Sequence, residues 1–162
     1  IKGYPLLRSD LIRLEVLKGA DVFDEKVASD MSKRTAVYDE MFRLADEALN
    51  KNAGVILDAT FVSQSLRRQA AEISAKHKLP FIIMETDCSQ EVAIRRILAR
   101  AEKEFESNAL TERAYLNNKK AFETVDLADL KNRYPELAVS HMIVDTTQDP
   151  PQEWYVTSAE RR

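Results

Sequence analysis

The sequence predicts an α/β fold built on a parallel sheet. Three observations carry that expectation: four short apolar runs without polar alternation, helical periodicities in the intervals between them, and a length and composition suited to one core. With 162 residues, 44% of them hydrophobic, the chain is long enough to bury a proper core but short for two full domains. It is expected to form a single domain over 1–162.

The apolar runs lie at 4–8, 53–58 (AGVILD), 79–86 (LPFIIMET) and 141–146 (HMIVDT). Unbroken apolar character suits parallel strands covered on both faces. Between the first two, Val37, Met41, Leu44 and Ala48 fall on one face of a helix over 34–50. Ser63 is placed to cap the next helix, which runs through Leu66, Ala70 and Ile73 to about Lys78. Ser89 opens another, through Val92, Ile94 and Leu98. Strand and helix thus alternate, which is the α/β signature. Residues 18–33 and 101–112 are polar and weakly periodic, so they are expected to be loops or helical lids, with a lid over 101–125. The last piece, 150–162, starts with Pro150-Pro151 and carries Trp154 and Val156, and is expected to be a short closing helix with Trp154 and Tyr155 packed in the core.

Several classes of function are disfavoured. A net charge of −3 advertises no polyanion-binding surface. The one cysteine, Cys88, cannot form an internal disulfide, and no stretch approaches the roughly 18 apolar residues that span a bilayer. A soluble, reducing, cytoplasmic setting without a membrane partner is the expectation. Neither His77 nor His141 has metal-ligand spacing.

Ligands of open parallel sheets gather outside the carboxyl ends of the strands. Asp10, Asp58, Asp87 and Asp145 all stand at or near such ends. Each, taken alone, can be a helix cap. Two have informative company. VILDATF, 55–61, is an apolar strand ending in Asp58 and followed by Ala59-Thr60, and a carboxylate at the end of a buried strand can hold Mg²⁺ beside a nucleotide's phosphates. In IRRILAR, 94–100, Arg96 and Arg100 are four apart and share a helix face, where guanidinium forks match phosphate oxygens. A solvated basic face is the alternative for the arginines. Arg95 lies about 100° away around that helix and reads as surface.

RSDLIR at 8–13, VILDATF at 55–61, Arg67, Arg96 with Arg100, and SNA at 107–109 stand in the order of the AAA_33-type P-loop kinases. The chain resembles that group, which is related to polynucleotide 5′-kinase and the zeta-toxin kinases, from Tyr4 to about Thr146. The resemblance implies a P-loop NTPase-like three-layer fold and transfer of the ATP γ-phosphate, with Mg²⁺ as the sole metal, to a hydroxyl of a small molecule or a polynucleotide. It further implies that Asp10 is the catalytic base and Arg13 a clamp on the acceptor or the transferring phosphate. Asp58, with Thr60, would organise Mg²⁺, and Arg96 and Arg100 would lie on the nucleotide. Arg67 matches a family position, and a helix-surface role is the other reading.

The chain departs from the family in one respect. None of its three glycines, Gly3, Gly19 and Gly54, is followed by Lys and a hydroxyl residue, so the G-x-x-x-x-G-K-[ST] loop that surrounds phosphates is missing. That loop normally precedes the first strand. About 30 further residues, the size of a βα unit, are therefore expected before Ile1, and the chain from Ile1 onward is expected to transfer nothing by itself. A binding or scaffolding domain derived from such kinases is the alternative.

Overall fold

The computed structural model describes residues 3–18, 31–101 and 111–162, the side chains of residues 31, 100 and 101 excepted. Of the expected loop or lid segments 18–33 and 101–112, the parts 19–30 and 102–110, which include Ser107-Asn108-Ala109, lie outside the described residues, while 31–33 open a helix. The chain divides into two compact units, the first ending at Phe61 and the second starting at Val62.

In the N-terminal unit, β1 (Leu6–Arg8) runs straight into α1 (Ser9–Val16), and α2 (Met31–Leu49) leads to β2 (Ile56–Asp58). β1 and β2 are parallel, with Leu6 opposite Ile56, Leu7 opposite Leu57 and Arg8 opposite Asp58. α1 has no side-chain cap. Instead Asp10 stands in its first turn and Arg13 in its last, the charge order that suits the helix dipole. Ile12 of α1 and Val37, Tyr38, Met41, Phe42 and Ala45 of α2 form the core. The buried stripe is rotated from the predicted one, leaving Leu44 and Ala48 half-buried. Rotation puts two aromatic rings inside, and rings remove more apolar area from water than Leu and Ala do. Ahead of β2, a Cβ on Gly54 would fall 2.7 Å from the Tyr4 ring, so only glycine permits that approach.

The C-terminal unit holds α3 (Gln64–Lys76), β3 (Phe81–Asp87), α4 (Gln90–Ala101), α5 (Glu112–Ala121), α6 (Leu127–Arg133), β4 (Val139–Asp145) and β5 (Tyr155–Arg161). Both predicted serine caps are present: Ser63 Oγ accepts from Leu66 N at 3.4 Å and Ser89 Oγ from Val92 N at 3.3 Å. β3 and β4 are parallel from Phe81 opposite Val139 to Asp87 opposite Asp145. Ala71, Leu127, Leu130, Leu137 and Val139 form the core, with Phe81 and Ile83 of β3 packed against it. Ile82 and Met84 alternate with these and are 56% and 53% exposed. Among the described residues, that side of β3 carries no cover.

The closing helix is not found. After a single 3₁₀ turn at Pro151–Glu153 the chain enters β5, antiparallel to β4 with a bulge between Ile143 and Val144. Two prolines can start a helical turn, yet Tyr155, Val156 and Thr157 all favour extended backbone. Trp154 and Tyr155 are exposed rather than core. The indole N–H of Trp154 donates to the Gln148 carbonyl at 2.8 Å.

A polar seam joins α3 to α6. Gln64 Nε2 donates to the Asp126 carbonyl at 2.8 Å and to Asp129 Oδ2 at 2.9 Å, and Arg68 grips Asp129 through two bonds of 2.7 Å. The hydrogen bonds from Arg68 and then Gln64 hold the Asp129 carboxyl below its usual range. A carboxylate whose native pKa is lowered stabilises the fold above its ordinary pKa, and this is lost as pH falls through the lowered value. Urea midpoints of the wild type and Asp129→Asn should therefore differ at neutral pH and converge in acid; a constant gap would refute the linkage.

Candidate functional site

The first group of candidates lies in the N-terminal unit. Because β1 and β2 are parallel and in register at Arg8 and Asp58, their carboxyl ends share one edge. Asp10 follows β1 at that edge and Asp58 closes β2 there. The Asp58 side chain is 67% exposed and has Arg8 Nε at 3.9 Å, while Thr60, two residues on, is also exposed. Mg²⁺ takes hard oxygen ligands, commonly one or two carboxylates with the rest from water and phosphate. An open carboxylate beside a hydroxyl meets that need. Among the described residues no group of three or more His, Cys, Asp or Glu side chains forms a ready metal cage.

Asp10 and Arg13 are three apart on α1 and so lie on the same side of it. Burial holds the Arg13 guanidinium below its ordinary basicity; Asp10 opposes that shift and the positive charge of Arg34 on α2 adds to it. Arg13 Nε is buried and has no hydrogen-bond partner among the described residues. An unmatched buried donor of this kind costs roughly 1–3 kcal/mol, which a ligand oxygen would recover.

Tyr38 of α2 stands beside this pair and was not singled out from the sequence. Its phenol is raised above its ordinary pKa chiefly by burial, with Phe61 N–H, Arg34 and Arg13 lowering it and Asp10 raising it. The phenol oxygen accepts the Phe61 N–H at 3.1 Å. Phe61 has φ +43°, a left-handed conformation that a bulky residue enters at a cost of roughly 1–3 kcal/mol. The strained residue therefore comes immediately after Thr60.

The C-terminal unit holds the remaining candidates. The Arg96 guanidinium is occupied: it donates to Asp149 Oδ1 at 3.0 Å and to the Gln148 and Thr147 carbonyls at 2.9 and 3.3 Å. Arg95, on the surface as expected, shares Asp149 at 3.1 Å. The loop they grip follows the carboxyl end of β4, so Arg96 lies at the ligand-side edge of the β3–β4 pair. The Arg100 side chain lies outside the described residues, though its backbone is in α4. Asp145 acts as a turn cap, its Oδ1 accepting Thr147 N at 2.7 Å, and that backbone bond lowers its pKa. Asp87 closes β3 opposite Asp145, and its carbonyl takes both the N–H and the hydroxyl of Thr146.

Arg67 is not a helix-surface residue. It is 2% exposed, its guanidinium carbon lies 4.8 Å over the Phe122 ring, and Nη1 reaches Gln64 Oε1 at 3.3 Å and the Thr124 carbonyl at 3.4 Å. Nη2 has no partner. Desolvation lowers its basicity, with Glu85 and Glu123 opposing. The sequence did hold a signal: Gln64, Arg67 and Ala71 are spaced along the side of α3 that also buries Ala70. Cys88 is a free, half-buried thiol.

Among the described residues no helix is long and apolar enough to cross a membrane. A family model described as an AAA domain, AAA_33, matches residues 2–125. The matched span includes Asp10, Arg13, Asp58, Thr60, Arg96 and Arg100, and stops short of the Thr147–Asp149 loop.

Proposed function

The chain belongs to the AAA_33 family, a nucleotide-binding P-loop-kinase-like group with a P-loop NTPase-like α/β fold, and from that premise we propose that it transfers the γ-phosphate of ATP to a hydroxyl acceptor. One observation carries the reading: Asp10 and Asp58 stand at the same carboxyl-end edge of a parallel strand pair. Phosphoryl transfer asks mainly for positioning and charge stabilisation. In the proposed step the acceptor oxygen bonds to the γ-phosphorus as the bond from that phosphorus to the β,γ-bridging oxygen breaks. ADP leaves, and the acceptor proton passes to the Asp10 carboxylate.

Arg13 clamps the anionic side of the acceptor or the moving phosphoryl group, using a donor that has no partner among the described residues. Mg²⁺, when bound, neutralises charge on the phosphate oxygens. Asp58 holds it, with Thr60 at hand. Arg96 and Arg100 serve the nucleotide, and Arg96 would have to exchange Asp149 for phosphate.

The test uses the full-length protein, γ-labelled ATP, Mg²⁺ and a panel of hydroxyl acceptors that includes sugars and 5′-hydroxyl oligonucleotides. Label should move to at least one acceptor, and chelating Mg²⁺ with EDTA should stop it. Failure with every acceptor, together with no retention of nucleotide, would favour a binding domain instead.

A further inference from the structure

We propose that Tyr38 is a positioning residue for the corner that carries Asp58 and Thr60, a proposal that rests on the metal-binding reading of Asp58. The corner runs from the last residue of β2 to Phe61, which is bent into the left-handed region. A glycine would take that bend freely, and an asparagine nearly so. Here a phenylalanine takes it, so something outside the corner must hold it there.

Tyr38 holds it twice. The phenol oxygen accepts the Phe61 N–H at 3.1 Å, which fixes the main chain. Its ring meets the Phe61 ring edge-on at 5.6 Å, and Phe42 closes the trio at 6.0 Å from Tyr38 and 6.3 Å from Phe61, which fixes the side chain. Tyr38 is only 7% exposed and sits on the helix stripe that packs the core, so it is a rigid reference point. The Phe61 nitrogen it grips belongs to the peptide that begins at the Thr60 carbonyl. Turning that peptide turns Thr60 and, one residue further back, the end of β2. The same α2 face brings Tyr38 into the electrostatic neighbourhood of Asp10 and Arg13, so one side chain gives the metal corner and the base helix a common support.

A purely structural tyrosine would affect stability alone, so the variant must spare the packing. Tyr38→Phe does this: it keeps the three rings and removes only the acceptor oxygen. In ¹⁵N-labelled protein, exchange of the Phe61 amide should rise about five- to tenfold in the variant, the change that follows loss of one hydrogen bond, while the Met41 amide keeps its rate. With Mn²⁺ as the probe, broadening of the Asp58–Phe61 resonances should need about tenfold more metal in the variant, on the scale of other lost supports of metal ligands. Unchanged Phe61 exchange would overturn the proposal, as would matched Mn²⁺ titrations. If the wild type itself shows no broadening at Asp58, the metal assignment falls first, a failure visible before any substitution is made.

Discussion

Asp10→Asn is expected to lower kcat for phosphoryl transfer by about 10²- to 10⁴-fold, the usual contribution of a positioned general base. Asparagine keeps the size and the hydrogen-bonding reach of aspartate, and it sits equally well in a first helical turn. It cannot take a proton. KM for ATP should therefore change little, because the role proposed for Asp10 is on the acceptor and not on the nucleotide, and the melting temperature should stay close to that of the wild type. A small loss is expected all the same, since a negative charge in the first turn of α1 interacts with the helix dipole by roughly 0.3–1 kcal/mol. The assay is steady-state kinetics on the full-length protein, alongside thermal unfolding. Full activity in the variant would remove Asp10 from the role of base.

Leu130→Ala is the substitution with the largest expected effect on stability. Leu130 is fully buried, in a cluster with Ala71, Leu127, Leu137 and Val139 and with Phe81 and Ile83 of β3 packed against it. Three of these neighbours sit on rigid strands, so the space left by the isobutyl group cannot close. Truncations of this kind cost about 2–5 kcal/mol. With a urea slope of about 1–3 kcal/mol/M, the unfolding midpoint should fall by roughly 1 M or more. A fall of a tenth of that would mean that α6 is loosely held and that the core lies elsewhere.

The strands were legible because buried parallel strands have few options in sequence: AGVILD, LPFIIMET and HMIVDT each overlap one, with observed limits at Ile56–Asp58, Phe81–Asp87 and Val139–Asp145. Ser63 and Ser89 were legible because a cap is a local device, written within three residues of the N–H it serves. β5 was misread because Pro150-Pro151 announces a helical turn, and the turn does form, but it lasts three residues. The pairing with β4 that makes the rest a strand is a tertiary contact. The burial of Arg67 was not legible for a related reason: a charge on a helix is exposed by default, and the ring of Phe122, the carbonyl of Thr124 and the side chain of Gln64 are what make burial tolerable. Tyr38 had no local signal at all. Its partner is a backbone N–H 23 positions away, on a residue whose left-handed φ nothing in the VILDATF string foretells.

β1 passes into α1 with no residue between them, Arg8 ending one and Ser9 starting the other. Such a joint has no slack. Where a loop would let an acidic group wander and be tuned by its own substitutions, this one inherits its aim from three rungs of a ladder. Drift elsewhere in the chain can reshape the surroundings of Asp10, but a slip of one rung at Leu6–Arg8 would swing the acid away with the strand.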